Sequence, residues 1–330
     1  LGVKFPLELL DTANLISAEP KKILYVNSYH EGYIWSDTIE KGLLKALNVK
    51  TNPDGTFDGS HSGISVQFFR MDTKLNTSEN FKKSAALSAK NLIDTWKPDI
   101  VLTSDDNAAK YLIAPYYKNS SIPFVFCGLN WDASLYGFPR ENITGMVEIN
   151  PVLETIDILR QYANGDRLGY IGAKVLSEEK ELQYLQEVLN IKFAGGALVI
   201  NFDQWKKEYV KLQNTVDMLV WLTPMGIVGW DDKLADQFIL ENTKIPSAGT
   251  GDNNIRFALL GKVKLAEEQG WWLGKTALRV LEGISPEAIP IATNSQSKIF
   301  LNMQLANKMG IVFPMDLLQQ ATFLNTVEDE

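Results

Sequence analysis

Cysteine occurs once in this 330-residue chain and histidine twice. A single cysteine, Cys127, excludes an intrachain disulfide, a state that fits a reducing cytoplasm and many bacterial envelope proteins equally. His30 and His61 form no HxxxH spacing and no CxxC exists, so no metal-ligand pattern is present and no metal is expected. Cys127, set in an apolar run, is expected in the core. Long apolar runs are missing too: none approaches the ~18–20 residues that span a bilayer. Residues 1–20 lack the basic-then-apolar order of a signal peptide. Basic runs are absent, and 32 basic against 40 acidic residues give a formal charge of −8, which argues against a nucleic-acid partner. There is no Walker A sequence, no GxSxG elbow and no complete GxGxxG, since Gly249-Thr-Gly251 lacks the third glycine. No cofactor is expected, and binding without chemistry is the simpler reading.

What is present is an ordinary globular composition, 45% hydrophobic and 22% charged, too apolar for a disordered chain. The length exceeds a typical single domain and predicts two lobes. Strand-like and helix-like segments alternate from about residue 22 onward, the pattern of an α/β fold with parallel sheets. Ile23 to Val26 reads as a buried strand, followed by a helical stripe of Ile39, Leu43, Ala46 and Leu47 after a Ser36-Asp37 cap. Strands follow at Ile64 to Phe69, Asp99 to Leu102 and Phe124 to Phe126, with a helix from Phe81 to Trp96. Asp106 and Asn107 are expected to cap the next helix, and Asn150-Pro151 to open another with asparagine at the cap. The plan then begins again: Leu168 to Ile171, Leu198 to Ile200 and Met218 to Leu222 read as strands separated by helical stripes.

The closest internal echo is IPxxxxGxN, which occurs at 122–130 and 245–253, each after a strand ending in threonine, Thr103 or Thr223. Two similar lobes are therefore expected. Ligands of open parallel sheets sit beyond the C-terminal strand ends, so two facing lobes would gather the loops at 27–37, 103–107, 128–132, 172–174, 222–226 and 250–254 around a shared cleft. The candidate ligand-binding residues are Ser28, Tyr29, His30, Tyr33, Trp35, Ser104, Asp105, Asn130, Trp131, Thr223, Pro224 and Asp252. Rings beside carboxylates and amides suit a planar or amine-bearing molecule, through stacking, cation–π attraction and hydrogen bonds. With arginine missing from most of these loops, a ligand carboxylate is expected to use backbone N–H groups at helix N-termini.

The runs ILYVNSYHEGYIWSD at 23–37, MDTK at 71–74, SDDN at 104–107, PFVFCGLN at 123–130 and ITGMVE at 143–148 resemble the ABC-transporter substrate-binding family of type 1 periplasmic binding proteins. They resemble in particular its branch that also forms extracytoplasmic sensor regions of histidine kinases. ALRVLEGISP at 277–286 and ANKMG at 306–310 are similar to the end of that family. The resemblance implies two Rossmann-like lobes joined by a multi-stranded hinge, with crossovers near Val147, Asp252 and Ser285. One lobe is expected over 21–146 plus 254–284 and the other over 147–253 plus 285–315, with 1–20 and 316–330 as terminal extensions. It further implies a protein that works outside the cytoplasm, free or anchored through a removed N-terminal segment; a monomer is expected because nothing in the sequence resembles an obligate interface. Its partners would be a small organic ligand, aromatic amino acids among them, and the membrane permease of an ABC importer. Two other readings stay open at this point: a ligand-sensing module of a two-component system, and an enzyme using Asp105, Asp252 or His30.

Overall fold

In the computed structural model, which describes residues 19–324, the chain forms two units. One runs to Val147 and takes back Ala266–Ala292; the other holds Glu148–Leu265 and the chain from Thr293 onward.

In the first unit the strands lie side by side in the order Ile64–Arg70, Lys21–Asn27, Ile100–Ser104, Phe124–Asn130, Ile143–Glu148, with the short Ala292–Thr293 at the edge. The first three neighbouring pairs are parallel. The strand Lys21–Asn27 is apolar on both faces, and Ile23, Leu24, Tyr25 and Val26 are all fully buried, as expected where helices cover both sides of a parallel sheet. Cys127 lies in the same core.

The second unit repeats the plan. Its strands lie in the order Gly195–Val199, Leu168–Ala173, Met218–Trp221, Ser247–Gly249, Leu260–Lys264, then Ser297–Asn302 and Ala321–Leu324. Counted along the chain within each unit, the first five strands of either main sheet run 2-1-3-4-5. The two IPxxxxGxN runs thus open the fourth strand of each unit, so the sequence echo marks a structural repeat. The sheet is parallel except where Leu260–Lys264 meets Ser297–Asn302 antiparallel. Its core is ring-rich: Trp205 stacks on Tyr209 at 4.9 Å and packs against Trp221.

Three expectations about boundaries are corrected. Residues 254–265 lie with the second unit, because Leu260–Lys264 pairs with Ser247–Gly249 and Ser297–Asn302. Residues 285–292 lie with the first unit, where Ile289 is buried and its carbonyl accepts from Thr144 Oγ1 at 2.6 Å. The chain after 315 is no loose extension up to Leu324, since Ala321–Leu324 pairs with Ser297–Asn302; residues 1–18 and 325–330 of the expected extensions lie outside the described residues.

Three caps are corrected as well. The first helix begins at Ile34 rather than after Asp37, and Ser36 instead donates to Asn27 Oδ1 while Asp37 accepts from Gly32 N–H. Neither Asp106 nor Asn107 caps, because both face other strands' loops. The helix Val152–Arg160 has Pro151 at its cap position, and Asn150 turns to Glu181.

The helix Ala266–Leu281 returns to the first unit and packs backbone to backbone on Ile34–Leu47. A Cβ at Gly270 would fall on the Ile39 carbonyl oxygen, and one at Gly42 on the Glu267 carbonyl. Gly270→Ala is therefore expected to destabilise the protein by roughly 3 kcal/mol through overpacking. The check is a lower urea midpoint at unchanged m-value; a midpoint equal to wild type would show that the helices part at little cost.

Candidate functional site

In the 2-1-3-4-5 order, the loops after the first and third strands diverge at the point where the strand order reverses, leaving a crevice at their C-terminal ends. In the first unit these are the loop after Asn27 and the turn at Ser104.

Ser28 and Ser104 hold this place together. The Ser28 hydroxyl donates to Ser104 O at 2.5 Å and accepts from Ala108 N–H at 2.9 Å, while Tyr25 OH donates to Ser104 Oγ at 2.8 Å. Both serines are fully buried, and their hydrogen bonds set the shape of the loop. Asp105 follows in the left-handed region, φ 67°, where aspartate is tolerated better than most side chains. The conformation turns its carboxylate toward Trp35, whose Nε1–H donates to Asp105 Oδ1 at 2.9 Å. Gly128, also at positive φ, lies against the same carboxylate, and a Cβ there would approach Asp105 Oδ1 to 3.1 Å.

Tyr29 and Tyr33 meet edge to face with centroids 5.4 Å apart, and the His30 ring lies 5.7 Å from Tyr33. The His30 Nδ1 is shut off from water with no hydrogen-bond partner. Asn130 donates to Asp106 Oδ2 at 2.5 Å, and Tyr136 OH to Asp106 Oδ1 at 2.7 Å, so Asp106 braces the fourth-strand loop. Trp131 is half-buried at φ 61°, a rare conformation for a bulky residue. The structure thus brings Tyr29, His30, Tyr33 and Trp35 together with Asp105 on one unit.

Sequence reasoning missed two residues here. Lys74, from the loop after the second strand, places Nζ 4.7 Å from the Tyr29 ring and 5.3 Å from the Tyr33 ring. Gln269 is buried and accepts from Gly128 N–H at 3.0 Å through Oε1. Lys74 could have been found by extending the strand-end rule to the Ile64–Arg70 strand; Gln269, far along the chain on a helix, carries no local signal.

In the second unit Thr223 lies just past Met218–Trp221. Its N–H donates to Glu178 Oε2 at 2.8 Å, and its hydroxyl accepts from Asn253 Nδ2 at 2.7 Å. Pro224 is buried beneath this turn, whereas Asp252 is exposed. Surrounding protein nevertheless displaces enough water to raise the Asp252 carboxyl, a rise opposed by Lys264. Sequence reasoning also missed an acidic group beside this turn. Glu178 and Glu181 share one face of Leu176–Glu187; Glu181 Oε1 accepts from Asn150 Nδ2 at 3.5 Å, and Glu148 pairs with Lys264 at 3.0 Å. Burial, then the charge of Glu178, pushes the Glu181 carboxyl from its ordinary 4.5 to about 7, against the pull of Asn150 and Lys264. Nearby, a cavity of about 200 Å³ lies between the 149–154 and 293–297 segments, joined by Asn294, whose side chain accepts from Ile149 N–H and donates to Ile149 O. None of the candidate ligand residues lines it.

Among the described residues no cluster of three His, Cys, Asp or Glu side chains is placed to hold a metal, and no helix is long and apolar enough to cross a membrane.

The Glu181 geometry has a measurable consequence. A carboxyl raised in the folded state binds more protons folded than unfolded between pH 4.5 and 7, so stability falls as pH rises through that window. Glu181→Gln should remove this slope and make the protein more stable than wild type at pH 8 by roughly 2 kcal/mol, allowing for partial exposure to water. At pH 4 the two should be equal. Parallel pH dependences in chemical denaturation would contradict the assignment.

A family model described as ABC transporter substrate binding protein matches residues 242–324. No curated protein matches the chain. Solved structures match almost its full length. A ligand-free, open substrate binding protein with adhesive properties from Clostridium difficile has a TM-score of 0.70 at 18% identity, covering 93% of this chain and 99% of that one. An ABC domain in complex with L-Trp from Streptococcus pneumonia has a TM-score of 0.59 at 17% identity, covering 92% and 99%. A periplasmic ribose ABC transporter protein from Conexibacter woesei has a TM-score of 0.57 at 13% identity, covering 90% and 97%. The chain therefore carries the fold of the periplasmic substrate-binding proteins of ABC transporters, and over residues 242–324 it carries that family's sequence pattern.

Proposed function

We propose that the protein is an extracytoplasmic solute-binding protein that captures a small amine-bearing or aromatic metabolite, such as an amino acid, and delivers it to the permease of an ABC importer. The observation that carries the reading is the Trp35–Asp105 pair, a ring edge and a buried carboxylate joined at 2.9 Å at the strand-order reversal. A carboxylate there gives an ammonium a charge-assisted partner, and the rings beside it offer stacking area. No nucleophile with its base is assembled among the residues of this loop cluster, which favours capture over turnover. The Streptococcus protein that shares the fold was solved with L-Trp, which makes aromatic amino acids the first compounds to screen.

Thermal-shift screening of amino acids, aromatic amines and nucleobases should find a stabilising class, since ligand at a hundredfold excess over Kd adds about 2.7 kcal/mol. Asp105→Asn keeps a residue that accepts positive φ and removes only the charge. It is expected to weaken binding of an amine-bearing ligand at least tenfold by calorimetry, with an unfolding midpoint close to wild type. Undiminished affinity in this variant, or stabilisation by none of these classes, would refute the proposal.

A further inference from the structure

We propose that Lys74 is the anion receptor of the first unit's site and takes a carboxylate of the ligand, so that the solute is an amino acid or another molecule carrying both charges. This rests on the function proposed above and narrows its ligand class.

The root of Lys74 is fixed. Past the end of the second strand, residues 71–73 continue to pair with 27–29: Met71 N–H donates to Asn27 O at 2.9 Å, Asp72 N–H to Tyr29 O at 3.1 Å, and Thr73 N–H to Ser28 O at 3.1 Å. The buried Thr73 hydroxyl adds a bond to Ser28 O at 2.6 Å and accepts from Asn107 at 2.7 Å. The preceding residue thus ties the second-strand loop to the loops after the first and third strands.

The head of Lys74 is held by rings alone. Its ammonium lies over Tyr29 and Tyr33, and among the described residues it makes no ion pair and no hydrogen bond. The neighbouring cation is different: Arg70 is engaged by Glu40 at 2.6 Å and by Glu31 at 3.8 Å. Ring faces attract an ammonium only weakly at an exposed site and satisfy none of its three N–H donors. Those donors are what a carboxylate uses, through a charge-assisted bond roughly twice as strong as a neutral one. A ligand ammonium seeking the same two rings would meet a like charge already in place. The ring pair that the sequence offers as a seat for the ligand's amine is thus occupied by the chain's own lysine. The amine is left to Asp105 and the carboxylate falls to Lys74.

The test uses pairs of compounds that differ only in the carboxylate, L-tryptophan with tryptamine and L-tyrosine with tyramine, titrated by calorimetry into wild type, Lys74→Met and Lys74→Arg. Wild type should prefer each amino acid over its amine. Lys74→Met should lose at least tenfold in affinity for the amino acid and change less than twofold for the amine, while Lys74→Arg keeps most of the amino-acid affinity. Equal loss for both members of a pair, no loss for either, or tighter amine binding by Lys74→Met would overturn the assignment; the last would mean that Lys74 merely plugs the rings. In each of these cases the amine reading of the site survives. If none of the four compounds binds wild type while solutes of another class do, that reading fails and this assignment fails with it.

Discussion

The buried amide of Asn27 is the point from which the first unit's site is built. Its Oδ1 accepts from Tyr29 N–H at 2.8 Å, from Ser36 Oγ at 3.2 Å and from Ser104 Oγ at 3.4 Å, while its Nδ2 donates to Glu40 at 2.9 Å. One side chain thereby joins the first strand, its loop, the first helix and the end of the third strand. Glu40, tied in turn to Arg70, brings in the second strand. A polar group this deep persists only if its bonding capacity is met, and meeting it fixes where the chain turns after the strand. The early start of the helix at Ile34 follows: with Ser36 engaged by Asn27, the residues read as a cap are already inside the helix.

That constraint explains why the rings lie where they do. Trp35 in the first helical turn is carried toward the third strand's end, where Asp105 can accept its N–H only by leaving the right-handed region. Gly128 makes room on the fourth strand, and Gln269 from the returning helix satisfies the Gly128 N–H. Trp35 and Gly128 thus meet at the Asp105 carboxylate, with Gln269 behind Gly128. Strain at a non-glycine residue is tolerated where several neighbours determine it together.

Much of this was legible in the sequence and some was not, for physical reasons. Fully buried parallel strands advertise themselves as short apolar runs, so Ile23 to Val26 and Phe124 to Phe126 were readable, and the IPxxxxGxN echo at 122–130 and 245–253 marked the equivalent fourth strands correctly. Caps failed because Ser36 is held by Asn27 on the preceding strand, and Asp106, Asn107 and Asn150 by partners far along the chain, which outcompete the local N–H groups their residue types suggest. The return points of the chain were misplaced because strand pairing of Leu260–Lys264, a tertiary fact, decides which unit owns it. Within the predicted site, Ser28 and Ser104 also hold the loop together, since a hydroxyl at a strand end can be satisfied by backbone as readily as by a ligand.

The repeated topology also separates what the fold imposes from what the sequence adds. Both units reverse strand order at the same place, yet after the first strand one continues with Tyr29, His30, Tyr33 and Trp35 and the other with only Lys174 and Val175 before its helix. The second unit instead concentrates carboxylates: Glu178 holds the Thr223 turn, Glu181 holds Asn150, and Glu148 holds Lys264. Burial raises both the Glu178 and the Glu181 carboxyls; the charge of Glu178 raises Glu181 further, and Asn150 and Lys264 offset only part of that rise. The Thr223 turn is thus anchored by a carboxylate with a second one beside it, whereas the first unit sets one carboxylate, Asp105, and one ammonium, Lys74, among rings. The same backbone plan therefore carries a ring-rich loop cluster in one unit and a carboxylate-rich turn in the other.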